Sequence, residues 1–317
     1  MLAAFKLLTL KVHLQRRNKF VQIVFDQVSK EFGTQSIALS QVSFVIDSGE
    51  LVLITGPSGS GKTTIMRLLI HDYTPEKGEI YWGEQPLTKL RSNQVPEHRR
   101  QIGVIFQDYK LLSELNVWEN VALPLSIIGK DQVETESRVT DLLKLVGLTD
   151  KAHLFPSQLS GGEAQRISIA RALAIGPSVI FADEPTGNLD PESSLEIVRL
   201  LRQINRLGTT VILATHDAVV LEFLKTQRRL SLAKGILAND SEPRPMPKRD
   251  LESDTDSVST KLQSTKTITE TIKVAKKAPE KPLELEVSEE EIGDQPTKST
   301  PKVSVPKKPT HQKGKKS

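Results

Sequence analysis

LVLITGPSGSGKTTIMRLLI, residues 51–70, joins a solid apolar run, a loop with glycine at 56, 59 and 61, and a segment of helical periodicity. A solid apolar run of five reads as a strand buried on both faces. The glycines let the loop wrap with its backbone N–H groups pointing inward, and the helix that follows adds the positive end of its dipole. Strand, glycine loop and helix in that order form a phosphate cradle. Lys62 is placed to reach the β and γ phosphates and Thr63 to put its hydroxyl on Mg²⁺. Gly56, Pro57, Ser58, Gly59, Ser60, Gly61 and Thr64 complete the expected nucleotide contacts.

Working outward, further apolar runs stand at VIF (104–106), VIFA (179–182) and VILAT (211–215), separated by helical stretches at 137–148, 164–175 and 193–208. Strands interleaved with helices predict an α/β fold with a mainly parallel sheet. Upstream, VQIVFDQVSK and ALSQVSFVIDSGE alternate as half-buried antiparallel strands do. From about Lys110 to Gln158 the periodicity is helical with no solid strand run, which predicts a helical insertion. The segment VIFADE, 179–184, brings Asp183 and Glu184 to the C-terminal edge of a buried strand, where ligands of open α/β sheets bind. Taken alone, a strand ending in two acids is commonly a solvated loop. Beside a phosphate cradle, Asp183 reads as a Mg²⁺ ligand and Glu184 as the group that orients or deprotonates the attacking water.

LSGGEAQR, 159–166, lies just before that second strand. Ser160 ahead of two glycines, with Glu163 three residues on, fits a helix capping box. With this signature the sequence resembles the nucleotide-binding domains of ABC ATPases, P-loop NTPases with a RecA-like sheet, an antiparallel β-subdomain and a helical subdomain. The resemblance covers about Val21 to Leu237. It implies a homodimer with two ATP molecules at the interface, in which Ser160, Gly161 and Gly162 face the γ-phosphate held by the other chain. It also implies that Gln107 in VIFQD senses the Mg²⁺ site, that Asp190 in TGNLD lies across the dimer interface, and that His216 in LATHD contacts the γ-phosphate. Where the family normally stacks adenine on a tyrosine, this chain has Phe32. The ring alone can stack; a packed strand phenylalanine is the alternative.

Within the family, IGVIFQDYKLLSELNVWENVALPL (102–125) and ADEPTGNLD (182–190) look most like the FtsE cell-division ATPases. The lipoprotein-release ATPase LolD and the macrolide-export domain MacB share PTGNLD. Resemblance to the FtsE group implies a peripheral ATPase on the cytoplasmic face of the plasma membrane, paired with an FtsX-like integral subunit that relays ATP state to cell-wall hydrolases. Tyr109, Leu111, Leu112, Leu115, Val117 and Trp118 crowd beside Gln107, and they suggest a groove for a partner helix as well as core. An exporter subunit and an ATP-gated scaffold are the competing readings. Glu184 speaks against the scaffold, which has no need of a hydrolytic carboxylate.

Composition sets the outer limits. The chain has 317 residues, no cysteine and a formal charge of +4. Thiolate metal sites, cysteine nucleophiles and disulfides are therefore excluded. All fourteen aromatic residues lie between Phe5 and Phe223, and residues 241–317 hold nine of the eighteen prolines. That stretch cannot build a packed core, so a disordered charged tail is expected there. It carries an acidic block at 284–294 and seven lysines from 298 onward, suited to weak binding of anionic surfaces. The rest of the chain totals only +1, which gives no basis for sequence-specific nucleic-acid binding. Residues 1–20 carry five Lys and Arg and no acid, and read as an extension or a membrane-surface segment. One ABC ATPase domain over 21–240, with its helical subdomain at about 110–165, is the expected organisation.

Overall fold

The alternation of side chains along three apolar strands organises this computed structural model, in which residues 21–33 and 36–247 are described. The expectations for the basic leader and for the tail beyond Pro247 fall outside those residues. The strands are β1 (Ile23–Phe32), β2 (Ser36–Ile46), β3 (Leu51–Thr55), β4 (Lys77–Trp82), β5 (Gln85–Pro86), β6 (Ile102–Ile105), β7 (Val179–Asp183), β8 (Thr210–Thr215), β9 (Arg228–Ala233) and β10 (Ile236–Asp240). The helices are α1 (Lys62–Leu69), α2 (Val95–Arg100), α3 (Val117–Ile127), α4 (Gln132–Leu145), α5 (Gly161–Leu173), α6 (Pro191–Arg206) and α7 (Ala218–Phe223).

One sheet has the order β10-β9-β3-β8-β7-β6, parallel except for the β10 edge, and a second, antiparallel sheet runs β2-β1-β4-β5. Successive residues of β3, β7 and β8 face opposite sides. Leu51, Leu53, Ile180, Ala182, Val211 and Leu213 enter one core with α3–α6. Val52, Ile54, Val179, Phe181, Ile212 and Ala214 enter another with α1 and the antiparallel sheet. Burial on both faces is why these strands read as unbroken apolar runs rather than alternating ones.

Helix starts lie earlier than apolar periodicity alone places them, because polar caps set them. Asp131 caps α4 through the Glu134 N–H, Ser160 caps α5 through that of Glu163, and Asp190 caps α6 through those of Glu192 and Ser193. The insertion is helical as expected, with α3, α4 and short 3₁₀ turns. Strand β6 ends at Ile105, so Phe106 already belongs to the loop that carries Gln107.

Two glycines wedge the phosphate loop in place. A Cβ on Gly56 would lie 2.4 Å from the Leu232 carbonyl oxygen, and one on Gly61 would lie 2.6 Å from Leu39 Cδ2. Gly61 also sits at φ 107°, as the N-cap of α1. The loop is thus pinned between β9 and β2, and a side chain at either position would open it.

The body of the domain continues past β10. Ser241 donates its N–H to the Arg229 carbonyl, and Arg244 lies within 3.5 Å of both Asp47 and Glu50. Residues beyond Pro247 contain no aromatic side chain and little apolar surface. A chain ending at Pro247 is expected to melt within a few degrees of the full chain and to bind nucleotide equally well. A drop of many degrees in differential scanning calorimetry would show that the removed residues pack on the domain.

Candidate functional site

The parallel register brings the C-terminal ends of three neighbouring strands abreast: Thr55 of β3 opposite Thr215 of β8, and Asp183 of β7 opposite Ala214 of β8. Just beyond these ends lie the phosphate loop, Glu184 and His216, all at an open cleft of about 860 Å³. Lys62, only 6% exposed, donates to the carbonyls of Gly56 (2.8 Å) and Pro57 (3.2 Å) and pairs with Glu184 Oε1 at 3.1 Å. The other oxygen of Glu184 lies 2.7 Å from His216 Nδ1. Glu184 itself is held at φ 51°, with its N–H donated to the Ala214 carbonyl. This left-handed step ends β7 and turns consecutive residues to different tasks: Asp183 points toward α1, and Glu184 lies between the lysine and the histidine.

Thr63 Oγ1 donates to Asp183 Oδ2 at 2.8 Å. Oδ1 of the same carboxylate is buried with no hydrogen-bond partner. Burial raises the Asp183 pKa above the usual carboxylate range; the Thr63 hydroxyl opposes the rise and the charge of Glu184 adds to it. Ser60 Oγ, in the middle of the loop, is likewise buried and unpartnered.

Of the other expected site residues, Phe32, Ser58, Gly59, Gly61, Thr64 and Gln107 also line the cleft. Phe32 stands at the rim, 38% exposed, edge-on to Tyr73 at 5.0 Å and with Lys30 Nζ 5.5 Å from its ring centre. It therefore presents a ring to the opening rather than filling the core. Ser160, Gly161, Gly162 and Asp190 are not among the cleft-lining residues. The Ser160 capping box is complete, and Glu163 also pairs with Lys151, whose hydrogen bond holds the Glu163 carboxyl below its ordinary range.

Two residues that the sequence reading passed over fix Gln107. Asn188 exchanges hydrogen bonds with it: Gln107 Nε2 donates to Asn188 Oδ1 and Asn188 Nδ2 donates to the Gln107 carbonyl, both at 3.3 Å. Gln165, fully buried, donates to the carbonyls of Phe106 and Pro185. Asn188 belongs to the quoted TGNLD and Gln165 to LSGGEAQR, but their partners lie 81, 59 and 20 residues away, and no local pattern reveals such pairings.

A glycine-rich loop feeding a helix, two carboxylates at the next strand but one, and a polar cleft over their ends are the parts of a P-loop nucleotide hydrolase. Comparison with known proteins narrows this class. The ABC transporter family model matches residues 39–187. The chain is 45% identical over 223 residues to the cell division ATP-binding protein FtsE of Mycobacterium tuberculosis, covering 70% of this chain and 96% of that protein. FtsE of Escherichia coli K12 is also 45% identical, over 68% of this chain and 96% of its own length. Among solved structures, a dimeric post-hydrolysis state of the ATP-binding cassette MJ0796 bound to ADP and Pi matches with a TM-score of 0.63 at 35% identity. It covers 71% of this chain and all of that one. The chain belongs to the ABC transporter ATPases, in the group of the FtsE cell division ATP-binding proteins. It is an ATPase, and its ligand is nucleotide.

The raised Asp183 pKa has a consequence for stability. A carboxyl whose pKa is higher folded than unfolded favours folding below the unfolded value and loses that contribution as pH rises through the folded one. At neutral pH Asp183 therefore costs the nucleotide-free protein stability. Asp183→Asn is expected to raise the melting temperature at pH 7–8, and the gain should shrink as pH falls and vanish below about 4, where the carboxyl becomes protonated in the unfolded state as well. A variant that melts lower than wild type at pH 8 would contradict this.

Proposed function

We propose that this chain is the ATP-hydrolysing subunit of a cell-division complex of the FtsE–FtsX kind. It works as a homodimer on the cytoplasmic face of the membrane, beneath an FtsX-like integral subunit. The observation that carries the chemical part is Glu184 lying between Lys62 and His216 at the mouth of the cleft. A phosphate arriving at the loop competes for the Lys62 ammonium, which leaves Glu184 free to orient or deprotonate the water that attacks the γ-phosphorus. The P–O bond to ADP breaks, and His216 can donate to the oxygens of the departing phosphate. Phe32 offers its exposed face to the base.

Mg²⁺ fits this donor set. Asp183 Oδ1 is a buried acceptor with no partner, Oδ2 is shared with the Thr63 hydroxyl, and Gln107 at the same cleft can add a carboxamide oxygen. Bound there with ATP, the ion would neutralise charge on the β and γ phosphates. The position of Ser160–Gly162 and Asp190 outside the cleft fits a site completed by a second chain. Beside Gln107 the apolar cluster is divided: Val117 is buried, Tyr109, Leu111, Leu115 and Trp118 are half-buried, and Leu112 is 42% exposed. A surface of this kind suits a helix of the membrane subunit. Identity of 43–45% to FtsE proteins from several bacteria favours the cell-division reading over an exporter subunit.

Lys62→Ala is expected to abolish ATP binding, because it removes the point charge aimed at the phosphates. Phe32→Ala should weaken ATP and GTP alike by several-fold, about 1 kcal/mol for one lost stacking face. Equilibrium titration checks both, and unchanged affinity on Phe32→Ala would return that ring to a packing role.

Glu184→Gln keeps the shape of the side chain and removes the carboxylate, so ATP should bind without turnover and hold two chains together. Ser160→Arg added to it should prevent that closure. Size-exclusion chromatography with light scattering, with and without Mg·ATP, reads the dimer. Hydrolysis by Glu184→Gln at the wild-type rate would remove Glu184 from the chemistry.

A further inference from the structure

Two side chains of helix α5, Gln165 and Arg171, hold both ends of the segment that carries Gln107. At one end, Gln165 Nε2 donates to the Phe106 carbonyl at 3.2 Å. The same nitrogen donates at 2.8 Å to the carbonyl of Pro185, the residue after Glu184. Both neighbours are carbonyl oxygens, so only the NH₂ side of the carboxamide can face them. Gln165 Oε1 is left buried without a partner. An apolar side chain would spare the unpaired Oε1 but take away the donor that serves the Phe106 and Pro185 carbonyls, so the glutamine is explained by these two bonds rather than by packing.

At the other end, six residues and about 9 Å further along the helix, the Arg171 guanidinium donates to the carbonyls of Lys110 (2.7 Å) and Tyr109 (3.0 Å). Tyr109 and Lys110 sit at φ 58° and φ 51°. Two successive non-glycine residues in the left-handed region persist only where their surroundings impose it. A planar fork that takes both carbonyls at once does so. On the opposite flank Gly187 closes the space, since a Cβ there would lie 2.7 Å from Gln107 Nε2. Neither Gln165 nor Arg171 lines the nucleotide cleft.

We propose that Gln165 and Arg171 are positioning residues for ATP hydrolysis. They fasten the Gln107 segment and the peptide after Glu184 to α5, and so hold the two reactive side chains in place at the cleft. The inference rests on the hydrolytic reading of Glu184 and Gln107 given above. It requires loss of either fastening to slow the chemical step while nucleotide binding, set by the phosphate loop, stays as it was.

The test uses the full chain with Gln165→Met and Arg171→Met, which keep length and lose the donors, and Arg171→Lys, which keeps a cation able to reach a carbonyl. Three quantities are read: melting temperature, affinity for a fluorescent ATP analogue, and the single-turnover hydrolysis rate against Mg²⁺ concentration. The Met variants should bind the analogue within about threefold of wild type, hydrolyse ATP at least about tenfold more slowly and need more Mg²⁺ for half-maximal rate. Arg171→Lys should recover part of the rate. Wild-type rates in the Met variants would overturn the proposal, as would a rate that falls only in step with affinity or a Lys variant as slow as the Met one, since those mark general structural support.

If a Met variant melts too low to assay, Arg171→Lys decides: normal affinity with a reduced rate and a raised Mg²⁺ requirement upholds the proposal, and wild-type values for all three overturn it. Glu184→Gln run in parallel separates the two claims. A slow Glu184→Gln beside fast Met variants sinks this inference alone, whereas a fast Glu184→Gln sinks the reading beneath it.

Discussion

The arrangement depends on keeping charge at the ends of strands that have no tolerance for charge along their length. Every residue of β3, β7 and β8 is buried, on both faces, between two apolar cores. Polar chemistry can only begin where these strands stop, and an isolated buried charge there is costly unless it is paired. Each charge is accordingly tied. Lys62 has two carbonyls and Glu184, Glu184 has Lys62 and His216, and Asp183 has Thr63 on one oxygen. Among the described residues, the buried side-chain atoms of this site without a partner are Asp183 Oδ1 and Ser60 Oγ, both beside the phosphate loop. The positive φ of Glu184 follows from the same constraint, because two adjacent acids continuing along one strand would point to opposite faces.

That constraint also accounts for the way the outer parts are fastened. The antiparallel sheet grips the loop from one side through β2 at Gly61, and β9 grips it through the Leu232 carbonyl at Gly56. Strand β9 is itself locked by Arg228, almost fully buried, which bonds Glu50, Asp240 and the Val45 carbonyl. Removing one partner of such a buried network leaves an uncompensated charge, so the rigidity of the loop is anchored well away from the cleft. The helical insertion is joined to the same frame by Arg138, which caps the end of α5 through the Leu173 and Ala174 carbonyls. Burial lowers the Arg138 pKa to about 10, which still leaves the cap charged at neutral pH.

How much of this was legible in the sequence differs from element to element, for physical reasons. The strands buried on both faces announced themselves, because a short unbroken apolar run bounded by turn residues suits a strand covered on both sides. The loop with its lysine and the paired carboxylates stood in a fixed order along the chain. Strand β4, KGEIYW, was missed because only two of its six residues are buried. The β9–β10 hairpin was missed because RRLSLA opens with two arginines, one of which turns inward to an ion-pair network. Helix starts depended on caps whose carboxylates and hydroxyls carry no apolar period. Asn188, Gln165 and Arg171 were invisible on different grounds. Their partners are backbone carbonyls or amides distant in sequence, and only the register of the folded sheet brings them into reach.

The start of α5 shows what that distant bonding achieves. At its first turn Ser160 and Glu163 cap each other, and Lys151 pairs with the acid. Behind it, a Cβ on Gly161 would meet the Tyr109 hydroxyl at 2.8 Å and one on Gly162 would meet Ser193 Oγ at 3.2 Å. The glycine pair is thus backed by the exit of the Gln107 segment on one side and the first turn of α6 on the other. In the dimer proposed above, a surface that is already capped, paired and packed would lose little freedom on being covered, and less of the association energy would be spent on ordering side chains. The space beside Gly161 is closed by the Tyr109 hydroxyl, and Arg171 holds the carbonyl of the same tyrosine. The helix that Ser160 caps and the Gln107 loop, separate motifs along the sequence, are joined in the fold through Gln165, Tyr109 and Arg171.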